Sequence, residues 1–440
     1  MDPLFGTDPE YIVEHQSRLS ESLLWTLQRN YYDEHPNIFA DGTVPMYATT
    51  NPFVARSCAR LIEGFLDDCG GDEPATIVEL GAGHGRFGFF CLSELLARRP
   101  DPVRYVLTDM PEHYIEAWAA HPLLAALARE HGLDWATFDA EEDTTLALRG
   151  SGQTISPEAP CGPLIIIANY VFDSLRHDAF RVCSNTLEEG RVSLVSAVPD
   201  VPLDTPGLLA ELAPVFTYHP LESSAVYGEP GRDSVLAHYV AHLGDSVFSI
   251  PVGALRCIEA LAAMSTRPVL VLSLDKAHNH PTQLRSQEGL AVVSHGCVSM
   301  MVNHDAIGRY AVEKGGAAML SSPRSGQIES AAFVIGGPAG PRLTAAFADS
   351  VEFFSPADYL ELFKGCQPVT LAGCLKLLRL SSWDPTWLCA LTAIMAPLLH
   401  SATVDQNAEL RDGLMAARRH IFPIGDEDQE AHLADFGTLL

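Results

Sequence analysis

The chain has 440 residues, 47% of them apolar, which is enough for a sizeable core and argues against disorder. At one domain per about 150 residues the length predicts two or three domains. Lys and Arg number 28 against 56 Asp and Glu; the net charge of −28 repels phosphate, which argues against a nucleic-acid or anionic-membrane binder.

Residues 1–70 read as an N-terminal helical cap. Tyr11 to Arg29 and Pro52 to Leu66 carry apolar residues at helical spacing around a loop-like middle. The acidic, glycine-containing stretch from Asp67 to Pro74 reads as a boundary. Over 71–341 strands and helices alternate. Ala75 to Leu80, Val103 to Thr108, Asp134 to Phe138 and Pro163 to Ala168 are strands; Phe87 to Arg98 and His113 to His131 are helices. That alternation predicts an α/β fold with a doubly wound, Rossmann-like parallel sheet. Phe180 to Ala197 reads as a β-hairpin around Glu189-Gly190, inside an insertion spanning 176–262. A helix from Ala254 to Met264, a strand from Pro268 to Leu274, a helix from Val302 to Lys314 and a last strand from Ala331 to Ile335 follow. Residues 342–440 form a C-terminal helical region with 3.6-residue periodicity, ending in an acidic tail from Gly425.

The ten cysteines include no CxxC pair, and several lie in apolar runs, as buried thiols in a reducing compartment would. The first basic residue is Arg18, so the N-terminus lacks the charged start of a signal peptide. The longest apolar stretch, Thr386 to Leu399, is too short to span a bilayer. The expectation is a cytoplasmic protein that binds neither membrane nor nucleic acid. His278-Asn279-His280 reads as a surface loop, so no metal site is expected. His295 and His304 read as packing or capping residues.

The informative motif is Glu79-Leu80-Gly81-Ala82-Gly83-His84-Gly85-Arg86-Phe87-Gly88, where a strand ends in glycines and a helix begins. Gly83-x-Gly85-x-x-Gly88 matches a dinucleotide fingerprint, with Asp109 at a suitable distance beyond it. Glu79-x-Gly81-x-Gly83-x-Gly85 matches the loop of S-adenosylmethionine methyltransferases. Glu79 favours the second. A carboxylate there can face the ammonium of a methionine moiety, whereas under the dinucleotide reading it is a costly charge inside a strand. Later strand ends carry Asp109, Asp139 and Asn169, and in an open parallel sheet such ends line one crevice. Asp109 suits the two ribose hydroxyls, and Asp139 the adenine amino group.

With these blocks in order, residues 30 to 340 resemble the MidA family of class I methyltransferases, which includes a mitochondrial complex I assembly methyltransferase that modifies arginine. Tyr31-Tyr32, Gly42 and Thr50-Asn51-Pro52 resemble the family's paired tyrosines and Gly-Asp-Phe-x-Thr-x-Pro block. Glu79 to Gly85 resembles its Glu-Leu-Gly-Pro-Gly-x-Gly, and Asn169-Tyr170-Val171-Phe172-Asp173-Ser174-Leu175 its Asn-Glu-x-x-Asp-Ala-Leu. Asp275 sits where the family has Asp-Tyr-Gly. Tyr170 replaces a family glutamate, and Cys297 and Ser299 replace an aspartate and a threonine, leaving fewer carboxylates for a guanidinium clamp.

The resemblance implies a seven-stranded methyltransferase sheet and S-adenosyl-L-methionine as cofactor. It implies that Glu79, Gly81, Gly83 and Gly85 hold the methionine end, Asp109 the ribose and Asp139 the adenine. Asn169, Tyr170 and Asp173 would face the methyl acceptor. The expected substrate is a protein side chain, arginine among the candidates, on a partner that the acidic surface would favour if basic. Two alternatives are a small-molecule methyltransferase and a cofactor-binding assembly or scaffold protein without turnover.

Overall fold

The computed structural model describes residues 11–34, 46–71, 73–99, 101–205, 207–285, 287–290, 292–294, 297–324 and 328–424. Gly42, His295 and the acidic tail from Gly425 lie outside these residues. The chain packs into two compact units. One comprises Met1–Ile38, Phe138–Ala147 and Gln153–Ala339; the other comprises Phe39–Thr137, Leu148–Gly152 and Gly340–Leu440.

The unit containing Phe39–Thr137 is built on three parallel strands, Ala75–Leu80, Val103–Asp109 and Leu133–Thr137, with Val103–Asp109 in the middle. All six residues of Ala75–Leu80 are buried, as a parallel strand covered on both faces requires. Helix Arg86–Arg98 buries Phe87, Phe90, Cys91, Leu92 and Leu95. Helix Pro52–Cys69 starts where Asn51 Oδ1 accepts the Val54 N–H at 3.0 Å, with proline in its first turn, where no amide partner is lost. Gly64 of this helix lets the backbone of Arg342 come close: a Cβ there would lie 2.9 Å from the Arg342 carbonyl oxygen. The expected single helix over 113–131 is instead two, Glu112–Ala120 and Pro122–Glu130. Pro122 has no N–H for the preceding turn, so it opens a new helix.

Residues 340–440 belong to this same unit. Helices Pro356–Gly365, Leu371–Leu380, Pro385–Met395 and Val404–Arg418 share a core of Tyr359, Leu375, Leu378, Trp387 and Met395, against which Tyr47 and Phe53 also pack. The Tyr47 hydroxyl donates to buried Asp384 at 2.8 Å.

In the other unit, strand Leu164–Asn169 runs parallel to Val269–His278. Ile328–Ile335 pairs antiparallel with Val269–His278, and Ala317–Leu320 antiparallel with Ile328–Ile335. The fold class is mixed α/β, as expected from the alternation; among these strands three pairings are parallel and two antiparallel. Val269–His278 runs four residues beyond the expected Leu274, and Ala317–Leu320 has no counterpart among the expected strands.

This unit also holds a five-stranded antiparallel sheet. Its order is Tyr11–Arg18, Thr186–Ser196, Asp178–Cys183 and Ser246–Ile250, with Leu212–Pro220 pairing to Thr186–Ser196 as well. Two expectations are corrected here. Tyr11–Arg18 is a strand, not part of a helix: Tyr-Ile-Val opens it, and the helical apolar spacing begins only at Leu19. The hairpin turns at Ser184-Asn185 (φ 49° and 62°) rather than at Glu189-Gly190. Two successive left-handed residues match the twist of the flanking strands, and asparagine tolerates that conformation. Gly190 lies within its strand, where a Cβ would meet Ala179 Cβ at 2.7 Å. Among the described residues no helix is long and apolar enough to cross a membrane.

Candidate functional site

The glycine loop follows Ala75–Leu80 and leads into Arg86–Arg98. Gly81, Gly83 and Gly85 have φ of 57°, 53° and 78°, all left-handed, so every alternate position of the loop needs glycine for its backbone alone. The loop is tied from several sides. Ala82 N–H donates to the Thr108 carbonyl at 2.9 Å, and Trp118 Nε1–H to the Gly83 carbonyl at 2.8 Å. Asp109 Oδ2 accepts the Gly83 N–H and Asp109 Oδ1 the Met110 N–H, both at 2.9 Å. Burial pushes the Asp109 carboxyl up to about 6, and the two amides hold it back. A carboxylate has about four lone-pair positions, so two remain after these bonds for a ligand's hydroxyls.

Glu79 is 2% exposed and lies behind the loop. Its Oε2 accepts the Tyr105 hydroxyl at 2.8 Å and would lie 2.6 Å from a Cβ on Gly88. Burial pushes its carboxyl up to about 8, the Tyr105 bond pulls it down and Asp109 raises it. Gly88 is a packing glycine: its missing Cβ would also meet Leu107 Cδ2 at 2.5 Å and Tyr105 Cε1 at 3.1 Å. We expect Gly88→Ala to lower stability by about 1–2 kcal/mol, because overpacking of about 1–3 kcal/mol outweighs the helix-propensity gain of alanine. Urea unfolding monitored by circular dichroism checks this, and unchanged stability would mean that the helix shifts freely.

The other expected site residues belong to the other unit. Asp139 is held by Arg29: Nη1 donates to Oδ2 at 2.6 Å and Nη2 to Oδ1 at 3.3 Å. Arg29 Nη2 also donates to Glu141, which in turn accepts from Arg176. Any contact of Asp139 with an adenine has to form with this network in place.

Asn169 ends strand Leu164–Asn169, and Tyr170 follows with φ 56°. An aromatic residue in the left-handed region is strained, and the Tyr170 N–H bond to the Leu274 carbonyl at 2.9 Å pins it there. Its hydroxyl is buried without a hydrogen-bond partner among the described residues. A short 3₁₀ turn, Phe172–Ser174, then places Asp173, which is 3% exposed. Asp173 Oδ1 accepts the Ser174 hydroxyl at 2.9 Å. Burial pushes the Asp173 carboxyl up to about 6, with Ser174 and Lys276 pulling it down. Tyr170 and Asp173 therefore share one neighbourhood, to which Asp275 and Lys276 contribute charge.

Sequence reasoning gave no site role to Asp275, Tyr32 or Arg29. Asp275 Oδ2 accepts the Asp173 N–H at 3.2 Å, and its Oδ1 the Lys276 N–H at 3.0 Å. The Tyr32 hydroxyl reaches the Ser174 hydroxyl at 3.4 Å and bonds the Cys297 thiol. The signal for Asp275 was available: it is a carboxylate near the end of a buried apolar strand, as Asp109 is. No cluster of three metal-ligating side chains occurs among the described residues.

No protein-family model matches the chain, and no curated protein does. Solved structures with a similar course include an uncharacterised superfamily protein from Burkholderia thailandensis, with 16% identity over 73% of this chain and 88% of that one and a TM-score of 0.46. A second member of that superfamily from the same organism, with S-adenosyl-homocysteine bound, has 15% identity over 66% of this chain and 78% of its own, with a TM-score of 0.42.

Proposed function

We propose that the chain is an S-adenosylmethionine-dependent methyltransferase that acts on a protein side chain. The observation that carries the reading is the loop of three left-handed glycines at the end of a buried parallel strand, fastened to the carboxylate at the end of the next strand. Left-handed glycines let a backbone come within contact of a ligand. When bound, the cofactor would supply an activated methyl on a sulfonium; as the acceptor's lone pair forms the new bond to that carbon, the C–S pair would stay with sulfur as a thioether.

The chain's own residues then have two tasks, alignment and proton removal. Gly81, Gly83 and Gly85 give close approach, and Asp109 binds the ribose hydroxyls while still bracing Gly83. Glu79 supports the methionine end and Asp139 the adenine end. Asn169 and Tyr170 orient the acceptor, and Asp173 takes its proton. Burial pushes this carboxyl up to about 6, making it more basic than an exposed aspartate, which suits a general base.

Protein substrate is preferred because the net charge of −28 attracts basic partners. Incubating the purified chain with methyl-labelled cofactor and a lysate tests the reading. Label is expected on macromolecules retained by a protein-sized filter. Label only in the filtrate would favour a small-molecule acceptor, and no label a binding protein without turnover.

A further inference from the structure

Residues 419–424 do not trail away from helix Val404–Arg418. The helix is seated by Gly413, where a Cβ would lie 2.1 Å from the Trp383 ring. Its last turn closes with the His420 N–H on the Ala417 carbonyl at 2.9 Å, and Pro423 has no N–H to carry a helix further. Phe422 is thereby delivered to helix Arg86–Arg98, which begins directly at Gly85, and is only 1% exposed there.

Phe422 and its neighbours reach two supports of the glycine loop. The first is Arg86, whose Nη2–H donates to the Phe422 carbonyl at 2.8 Å. The second is His121, whose ring stacks on Phe422 with centroids 4.2 Å apart and planes at 11°. The His121 Nε2 also lies 3.3 Å from the Pro423 carbonyl oxygen. His121 is the corner between helices Glu112–Ala120 and Pro122–Glu130, and these helices carry Trp118 and Leu124. Trp118 holds the Gly83 carbonyl, and a Cβ on Gly85 would meet Leu124 Cδ1 at 3.0 Å and Trp118 Cδ1 at 3.3 Å. Further along helix Arg86–Arg98, Phe89 packs on Phe422 at 5.2 Å and Phe90 meets the His420 ring edge to face at 5.9 Å.

We propose that residues 421–424 are a strap that holds the glycine loop ready for the cofactor, with Phe422 as the positioning residue that ties Arg86, at the end of the loop, to the His121 corner behind Gly83 and Gly85. This rests on the reading of the loop as the S-adenosylmethionine site, and Phe422 acts through Arg86 and His121. A loop of alternate glycines has more conformational freedom to lose than any other sequence, so outside ties that fix it in advance improve binding. The coupling is reciprocal: a strap that strengthens cofactor binding is itself held down by bound cofactor, by the same factor.

Both sides of that coupling can be read on the full chain with S-adenosyl-homocysteine as the probe. In calorimetric titration Phe422→Ala should weaken binding at least about fivefold, whereas Phe422→Leu, which refills most of the space, should stay within about twofold of wild type. Arg418 and Arg419 are exposed just ahead of the strap, so trypsin can release the C-terminal piece, which mass spectrometry identifies. Saturating probe should slow that release at least about fivefold in wild type and leave it unchanged in Phe422→Ala. Affinity unchanged in Phe422→Ala would overturn the proposal. Equal protection in wild type and Phe422→Ala would also overturn it, since that protection comes from stabilisation of the whole fold. If Phe422→Ala does not fold, the wild-type release decides, and a rate indifferent to the probe overturns the strap. A wild-type chain that binds no probe overturns the reading of the loop itself, and the strap with it.

Discussion

Asp173→Asn is expected to lower methyl transfer at least about a hundredfold, near 2.7 kcal/mol of transition-state stabilisation, with the cofactor dissociation constant unchanged within about twofold. The amide keeps the shape and can still accept the Ser174 hydroxyl, but it cannot take a proton. The wild-type rate should rise with pH through about 6, since the ionised form of Asp173 is the active one. The variant should lack that limb. Initial rates of label transfer between pH 5 and 8 check both statements. A variant that retains its rate and its acid limb would place the base elsewhere, and a matched loss of cofactor affinity would make this turn a cofactor element.

Asp109→Ala is expected to weaken S-adenosylmethionine binding by about 1.5–3 kcal/mol, roughly tenfold to 150-fold. Two losses combine. The ribose hydroxyls lose a charge-assisted acceptor, and the Gly83 amide loses the oxygen that braces the loop. Asp109→Asn separates them, because its side-chain oxygen can still brace Gly83. It should fall between wild type and alanine, and the overall fold should persist in both variants by circular dichroism. If alanine binds as tightly as wild type, Asp109 serves only the loop backbone.

The parallel strands were legible because they are short, continuous apolar runs that end at a glycine, a carboxylate or an asparagine. Ala75–Leu80, Val103–Asp109 and Leu164–Asn169 lie within about a residue of their expected bounds. Of the antiparallel sheet only the hairpin of Asp178–Cys183 with Thr186–Ser196 was legible, because its other strands come from distant segments. Tyr11–Arg18 pairs with Thr186–Ser196, and nothing local in half-buried Glu14 to Arg18 announces that partner. Asp275 falls outside the expected strand because the apolar run ends at Leu274. Pairing to Ile328–Ile335 carries the strand to Lys276, parallel pairing to Val302–Asn303 carries it on to His278, and the acid is buried. The glycine loop was fully legible, as each of its three glycines meets a backbone need at its own position. The Glu79 environment was not. Its contact with Tyr105 depends on packing between two strands and a helix, and sequence spacing carries no sign of which way the carboxyl turns.

Calorimetric titration of the purified chain with S-adenosylmethionine and, separately, with NAD tests the cofactor assignment most directly. Micromolar-range binding of S-adenosylmethionine without comparable NAD binding is expected from Gly81, Gly83 and Gly85 in left-handed conformation with Asp109 at the next strand end. Tighter binding of NAD would make the loop a dinucleotide cradle and contradict the methyltransferase reading.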